Sequence, residues 1–332
     1  MAPTAAGIQT ALARIASRAR HFASGPAAVV TGASPHQIYA GYRPEHETLL
    51  RSMVVREAEL GSDRFTDGFG QVTLFSCVPF SSEFDLERLT LPLPDDGFHA
   101  EAPEYIAVAD SVKRAGASYC IAELGAAWGP WVGLGGVLAR NRGVKEIDLI
   151  GVEALPARFE LLRRHLAVNG LRPADGDETT LGAVTCRLLG GAATPTRTEV
   201  WFPDVPVTDL GPAISESESG RDYRGKRVHN LRVEGYPLSE ILRDAHVDLL
   251  HVDVQGAELE LVRANVELLA NQVSGLMIAT HSRVIEGALI ELLYENGWQL
   301  ELEKPCRVAW RAQPPSQEAM TEVDGCQYWR RS

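Results

Sequence analysis

The sequence predicts an α/β protein built on a Rossmann-like doubly wound sheet, and three observations support this. Short apolar runs alternate with amphipathic helical patterns from residue 98 onward. The run at 247–254 is apolar almost throughout, as is typical of a strand buried on both faces of a parallel sheet. The run at 118–124 leads into a glycine-bearing turn, the usual form of a ligand-binding strand–turn–helix unit. Strands that alternate with helices imply right-handed crossovers.

The predicted elements follow one another in a regular order. A helix is expected over residues 100–116, because Pro103 lies in its first turn and Gly116 just past its end. Strands are expected at 118–124, 146–154, 247–254 and 275–281, and helices at 155–169, from Ala257 onward and up to Gly297. Segments 298–310 and 326–331 have the pattern of a terminal antiparallel hairpin. The segment 174–236 is more irregular.

Residues 1–97 lack this regularity and are predicted to form an N-terminal accessory region, distinct from a domain over 98–332. Two prolines and an Asp-Gly pair mark the boundary at 91–98. The accessory region contains a helical candidate near 46–60 and a β-like run at 71–79. It would serve as a lid or as the contact of a homo-oligomer.

The beginning of the chain has a distinct charge pattern. The first 44 residues contain no Asp or Glu, and apolar residues recur at helical spacing between Ile8 and Phe22. A mitochondrial transit peptide has this basic, amphipathic character. We favour instead a helix that packs on its own domain or on a second subunit, and leave the targeting interpretation open.

Composition limits the classes of function. The formal net charge of −12 disfavours a nucleic-acid partner, since phosphate neutralisation needs a basic face. No apolar run has the length of a membrane span. The five cysteines are scattered without a Cys-x-x-Cys pair, which fits reduced thiols better than disulfides or a zinc site. The prediction is a cytoplasmic protein with no nucleic-acid or membrane partner.

The turn after the first strand separates three kinds of ligand site. Its pattern is Glu123-x-Gly125-x-x-x-Gly129, whereas a dinucleotide site requires G-x-G-x-x-G. A phosphate-binding P-loop requires a lysine after its last glycine, and none follows Gly129. Gly125 would let the backbone approach a ligand, and Gly129 would let the next helix pack close to the strand. The spacing therefore disfavours both phosphate-binding sites.

Two acidic residues at strand ends further limit the kinds of ligand that the site could bind. Glu123 ends a strand that should be buried, so its carboxylate must face turn amides or a cationic ligand. Glu153 ends the second strand, where an acidic residue accepts hydrogen bonds from ribose hydroxyls. Alternatively, Glu153 only favours the start of the next helix through the helix dipole. Together with the glycines they indicate a ligand with a ribose but no phosphate, which points to S-adenosylmethionine.

Three stretches carry a resemblance to a known family. The residues AELGAAWGPW with GVEALPARFELLRRHLAVNG, LLHVDVQGAELELV (249–262) and MIATHSRVIEGALIELLYENGW (277–298) resemble S-adenosylmethionine-dependent methyltransferases of the FkbM type. The match covers roughly 98–310, and GFHAEAPEY and DGCQYW resemble a subset of that family. One residue departs from the pattern, because Gln255 stands where the family usually has Glu. If that Glu has a chemical role in the family, the role is weaker in this chain or belongs to another residue.

The resemblance implies a class I methyltransferase fold and methylation of an oxygen on a small sugar-like or natural-product acceptor. It implies that the methionine part of the cofactor is surrounded by Glu123, Gly125, Ala126 and Gly129. It also implies that Glu153 binds the ribose and that Asp253 lies beside the transferred methyl group or the amino group.

A hydroxyl acceptor needs a base or a metal that lowers its pKa. We expect His281, at the end of the fifth strand, to be the base, because free histidine has a pKa of about 6.5. A structural histidine is the alternative, and His251 ranks lower because it lies deeper in its strand. Asp253, Glu258 and His281 could together hold Mg²⁺ or Mn²⁺. We favour catalysis without a metal.

Two more residues are candidates for the cofactor site, each with an ordinary alternative. Trp128 would pack on the adenine or the sulfonium, or else fill the helix–sheet interface. Glu101, with His99, would line the cofactor entrance, or else complement the dipole of the following helix.

Three functions remain open at this point. The leading one is an S-adenosylmethionine-dependent O-methyltransferase. The second is an NAD-dependent oxidoreductase, which the glycine spacing disfavours. The third is a protein that has the fold of a cofactor-binding enzyme but no longer catalyses a reaction. Gln255, which departs from the family pattern, favours this third function.

Overall fold

The computed structural model describes residues 39–77, 102–209, 211–215, 217–218, 220–222, 226–314 and 318–331. The predicted basic helix at 8–22, the boundary at 91–98 and the candidates His99 and Glu101 lie outside these residues.

Helices and strands alternate along most of the described chain. The helices are α1 (Pro44–Met53), α2 (Ala102–Arg114), α3 (Pro130–Asn141), α4 (Pro156–Val168), α5 (Leu238–Leu242), α6 (Glu258–Ala264), α7 (Val266–Gln272) and α8 (Arg283–Glu295). The first eight strands are β1 (Glu59–Leu60), β2 (Arg64–Thr66), β3 (Val72–Leu74), β4 (Ser118–Leu124), β5 (Glu146–Glu153), β6 (Glu178–Leu181), β7 (Val184–Gly190) and β8 (Ala192–Ala193). The others are β9 (Thr198–Asp204), β10 (His229–Tyr236), β11 (Leu249–Val252), β12 (Gly275–Thr280), β13 (Trp298–Lys304), β14 (Arg307–Val308), β15 (Thr321–Val323) and β16 (Gly325–Arg331).

Eight strands form the central sheet in the order β13–β16–β12–β11–β4–β5–β7–β6. The five strands from β12 to β7 are parallel, whereas β16 and β6 run antiparallel to their neighbours. The chain moves outward in one direction from β4 and in the other direction from β11. This reversal is the switch point at which open α/β sheets bind ligands. The predicted Rossmann-like doubly wound sheet is confirmed.

The sheet lies between two helical layers because its central strands are apolar on both faces. One core includes side chains of α1, α2, α3 and α4, and the other includes side chains of α5, α6, α7 and α8. Leu249 belongs to the first core and Leu250 to the second, as the alternation of side chains along a strand requires. Every residue of β12 is buried.

The terminal antiparallel hairpin is also confirmed, with an addition. β13 pairs with β16, as predicted, but β16 also pairs with β12 over Gly275 to Thr280. It therefore lies inside the sheet and not at its edge. This placement gives both sides of β16 a hydrogen-bonding partner.

Several boundaries differ from the sequence prediction. The helix expected near 46–60 ends at Met53, and residues 59–60 form β1 instead. The helix expected from Ala257 is divided at Asn265, whose side-chain amide donates to the Leu261 carbonyl oxygen. The irregular segment 174–236 holds five strands, three of which form a separate small sheet in the order β8–β10–β9.

The described part of the accessory region, residues 39–77, packs on the same core as α2. α1 contributes Leu49, Leu50 and Met53 to it. The side chain of Asn169 exchanges two hydrogen bonds of 2.8 Å with the backbone of Val72, which ties β3 to the end of α4. In the part of the chain that the structure describes, no helix is long and apolar enough to cross a membrane.

Candidate functional site

The site is built where β4 and β11 end side by side. The two strands are parallel neighbours, and Glu123 is paired in register with His251. The Asp253 amide donates to the Leu124 carbonyl oxygen at 2.9 Å, which holds the loop after β11 against the end of β4. A Cβ atom at Gly125 would lie 1.8 Å from the Asp253 carbonyl oxygen. The close approach that Gly125 permits is therefore to the protein's own backbone.

The turn after β4 has an unusual backbone. Gly125, Ala127 and Gly129 all have left-handed φ angles, of 74°, 47° and 75°. The amides of Gly125 and Ala126 both donate to the Val152 carbonyl oxygen, at 3.0 and 2.9 Å. A Cβ atom at Gly129 would lie 2.3 Å from a methyl carbon of Leu162 in α4. The two glycines thus allow the turn to pack closely against β5 and α4.

The carboxylate of Glu153 holds this turn from the next strand. One oxygen accepts the Ala127 amide hydrogen at 2.8 Å and the other accepts that of Leu155 at 2.7 Å. Burial raises the pKa of Glu153, while Arg158 and these two amides lower it in part. Each carboxylate oxygen has a second lone pair, so both can still accept a ribose hydroxyl. The ribose role stays a prediction.

Glu123 lies deeper and caps a helix. Its Oε2 accepts the Val132 amide hydrogen at 2.8 Å in the first turn of α3. Burial raises the pKa of Glu123 to about 8, although His251 and the amides of Val132 and Trp131 lower it in part. The sequence predicted that this carboxylate contacts either turn amides or a cationic ligand. The observed contact is with a backbone amide.

His251 belongs to the same buried layer as Glu123. Its Nε2 lies 2.8 Å from Oε1 of Glu104 in α2, and its ring centroid lies 5.8 Å from that of Trp131. Burial alone lowers the pKa of His251, but Glu104 and Glu123 outweigh it and raise the pKa overall. His251 is buried inside the protein to the same extent as His281, and its lower rank as a base stays a prediction.

His281 lies at the end of β12 among three carboxylates. Its Nδ1 is 2.8 Å from Oε1 of Glu258, and its Nε2 is 3.4 Å from Oδ1 of Asp253 and 3.9 Å from Oδ2 of Asp324. We call Asp253, Glu258, His281 and Asp324 the His281 cluster. The side chain of Asp253 is 35% exposed and that of Asp324 60% exposed. The cluster therefore opens to solvent on the side of these two residues.

The surroundings of His281 affect its chemistry. Burial lowers its pKa, but Glu258, Asp324 and Asp253 outweigh burial and raise the pKa to about 10. A protonated imidazole has no free lone pair, so it cannot accept a proton until the negative charge around it is neutralised. The role of His281 as the base stays a prediction.

Gln255 contributes to this cluster through Asp253. It has a left-handed φ of 54°, and its side-chain amide donates to Oδ1 of Asp253 at 2.8 Å. A glutamate here could not donate this bond when ionised. The departure from the family pattern thus gives Asp253 a neutral hydrogen-bond donor.

Trp128 is buried beside Leu74 and Cys77. Its indole nitrogen has no hydrogen-bond partner among the residues that the structure describes. Trp128 thus packs against the described part of the accessory region, and both stacking on the cofactor and filling the helix–sheet interface stay predictions.

Asp324 is the site residue that sequence reasoning missed. It comes just before β16, which brings it to the end of β12 by antiparallel pairing. The Thr321 hydroxyl donates to the His281 carbonyl oxygen, which fixes the same segment. The signal was present, because Asp324 begins the stretch DGCQYW that resembles a subset of the family.

Comparison with known proteins gives the site its context. A model of the methyltransferase FkbM domain matches residues 136–290. A protein from Jannaschia sp. (strain CCS1), named "Putative methyltransferase", is 35% identical over 221 residues, which are 64% of this chain and 74% of that protein.

Two solved structures overlap with the fold. Methyltransferase FkbM from Methylobacillus flagellatus KT is 13% identical with a TM-score of 0.36, and the match covers 69% of this chain and 54% of that one. A precorrin-6y C5,15-methyltransferase from Geobacter metallireducens GS-15 is 12% identical with a TM-score of 0.38, covering 70% and 90%.

Proposed function

The chain belongs to the FkbM methyltransferase family, and from this premise we propose that it transfers a methyl group from S-adenosylmethionine to a hydroxyl oxygen of a small acceptor. The observation that carries the proposal is the acidic character of the strand ends. Glu153 ends β5 and Asp253 follows β11, the two strands on either side of β4. Carboxylates in these positions repel a pyrophosphate and suit a cofactor with a sulfonium, an ammonium and a ribose.

The turn after β4 would bind the cofactor, and the His281 cluster would take part in proton transfer. The left-handed turn would hold the methionine part of the cofactor, and Glu153 its ribose. When bound, S-adenosylmethionine supplies a methyl carbon activated by the positive sulfur. The acceptor hydroxyl would be held beside Asp253, and the His281 cluster would receive the proton that the hydroxyl gives up on methylation. The fixed positions of Asp253 and Gly125 would align the two reactants.

The class of acceptor is also part of the proposal. The net charge of −12 disfavours a nucleic acid, and the open side of the His281 cluster suits a small hydroxylated molecule. The cytoplasmic location and an oligomer formed through residues 1–97 stay predictions.

Calorimetry tests the cofactor. We expect saturable binding of S-adenosylmethionine and of its demethylated product, and none of NAD, because the turn lacks the pyrophosphate-binding glycine pattern. Incubation with radiolabelled cofactor and a panel of glycosides and hydroxylated natural products then tests transfer. Binding of NAD without either sulfur nucleoside would overturn the proposal in favour of an oxidoreductase.

Substitution of Glu153 by Gln tests the turn. The amide has one oxygen in place of two acceptors, so either Ala127 or Leu155 loses its partner. A hydrogen bond to a charged group contributes about 1.5–3 kcal/mol, so we expect affinity for S-adenosylmethionine to fall roughly ten- to a hundredfold. Glu146→Gln, at the exposed start of the same strand, is the control and should bind normally. Equal affinities of the two variants would refute this role of Glu153.

A further inference from the structure

We propose that Gln71, in the accessory region, is a positioning residue of the cofactor site and holds the turn after β4 in the conformation that binds S-adenosylmethionine. The inference rests on the proposed function, because that function assigns the turn to this cofactor. It gives the accessory region a role in cofactor binding, beside the lid or oligomer contact that the sequence predicts.

The first argument is the contact of Gln71 with the end of the turn. Gln71 is buried, and its side-chain amide donates to the Pro130 carbonyl oxygen at 2.8 Å. Pro130 is the first residue of α3 and directly follows Gly129 of the turn. A Cβ atom at Gly133, in the next turn of α3, would lie 2.8 Å from Nε2 of Gln71. The absence of a side chain at Gly133 thus leaves room for Gln71 against the start of the helix.

The second argument is a chain of hydrogen bonds that starts from the next residue of the accessory region. The side chain of Asn169 exchanges two hydrogen bonds with the backbone of Val72, and its amide also donates to the His165 carbonyl oxygen at 2.8 Å. Nδ1 of His165 donates in turn to the Trp128 carbonyl oxygen at 2.8 Å, since a carbonyl oxygen can only accept. The accessory region therefore reaches two carbonyl oxygens at the end of the turn, one directly and one through α4.

The third argument is that the accessory region is itself fixed where it meets the turn. Leu74 and Cys77 form a small buried cluster with Trp128. The carboxylate of Asp67, which is also buried, accepts the backbone amide hydrogen of Gln71 at 2.9 Å. A binding site keeps its geometry when the side chains that support it are themselves held by packing and hydrogen bonds. Gln71 meets this condition.

The turn needs such support because its backbone is strained. Ala127 has a left-handed φ of 47°, which is costly for a residue with a side chain. A strained conformation persists only where the surrounding structure holds it. Glu153 holds Ala127 from the neighbouring strand, and Gln71 holds the end of the turn from the accessory region. Without Gln71, the turn would relax toward conformations that fit the cofactor less well.

Gln71→Met tests this role, because methionine is unbranched and flexible but has no hydrogen-bond donor. We expect the affinity for S-adenosylmethionine, measured by calorimetry, to fall about tenfold. Asn141→Ala is the matched control, because the Asn141 side chain donates to the Phe69 carbonyl oxygen at 3.0 Å and so ties the accessory region to the other end of α3. This variant should bind the cofactor as the original chain does. Urea denaturation of both variants separates a loss of stability from a loss of affinity.

Hydrogen–deuterium exchange follows the turn without any cofactor. The backbone amides of residues 125–129 should exchange faster in Gln71→Met than in the original chain, and at the original rate in Asn141→Ala. A second variant, Gln71→Glu, adds a pH profile, since a protonated carboxyl group donates to a carbonyl oxygen and an ionised one cannot. Its affinity relative to the original chain should fall as the pH rises, whereas the relative affinity of Gln71→Met should stay constant.

Three results would overturn the proposal. One is a Gln71→Met variant whose affinity and turn exchange both equal those of the original chain. Another is an equal loss of affinity in Gln71→Met and Asn141→Ala, which would indicate general packing. If Gln71→Met does not fold, a pH-independent relative affinity of Gln71→Glu is the third. Should the original chain bind no S-adenosylmethionine, the proposed function fails, and the exchange experiment still shows whether Gln71 holds the turn.

Discussion

Substitution of Gly125 by Ala is expected to abolish binding of S-adenosylmethionine and to lower the free energy of unfolding by about 3 kcal/mol or more. Two effects combine at this residue. Its φ of 74° disfavours any side chain, and the new Cβ would lie 1.8 Å from the Asp253 carbonyl oxygen. Since that oxygen is backbone, no change of rotamer relieves the clash. The turn after β4 and the loop after β11 must move apart.

Gly143→Ala is the matched control for this prediction. Gly143 has nearly the same φ, 73°, but a Cβ there would have nothing within 4 Å. It should lose only the strain of the left-handed backbone, about 1–2 kcal/mol, and bind the cofactor normally. Urea denaturation and calorimetry measure both quantities. If the two variants behaved alike, the contact with Asp253 would not matter.

The second large effect concerns the pH dependence of stability through Glu123. Its pKa is raised to about 8 by burial, whereas an unfolded chain has a glutamate pKa of about 4.3. The folded protein therefore binds a proton more tightly, and the stabilisation from this group is lost as the pH rises from about 4.5 to about 8. Glu123→Gln lacks this proton, while its oxygen can still accept the Val132 amide hydrogen.

The variant should gain stability relative to the original chain across this range. The difference is expected to be small near pH 4.5 and to reach on the order of 3–5 kcal/mol above pH 8. Denaturation in urea at intervals from pH 5 to pH 9 measures it. Glu291→Gln, on the exposed face of α8, is the control and should show no such trend. A constant difference across the pH range would show that Glu123 is ionised in the folded protein throughout.

The parallel half of the sheet could be predicted because its signals are local. β4 at 118–124 matches its predicted limits, and β5 at 146–153 and β12 at 275–280 differ by one residue. Each is an apolar run bounded by a glycine or a charged residue, and burial on both faces leaves little room for another pattern. The carboxyl ends of these strands then located the turn and the cluster.

The contacts within the site could not be predicted in the same way. Nothing in the sequence shows that Glu123 faces the start of α3, or that both oxygens of Glu153 face backbone amides. Asp324 reaches His281 only through the pairing of β16 with β12, which is a long-range contact. The strands in 174–236 have mixed burial, so their periodicity was weak.

The position of β16 has a consequence for how the protein is made. β12 and β13 leave the ribosome first and have no strand between them until residues 325–331 follow. Their unpaired edges are exposed to wrong partners during that interval. Asp324 and Thr321 emerge only just before the same strand, so a nascent chain lacks an assembled His281 cluster until this segment has emerged.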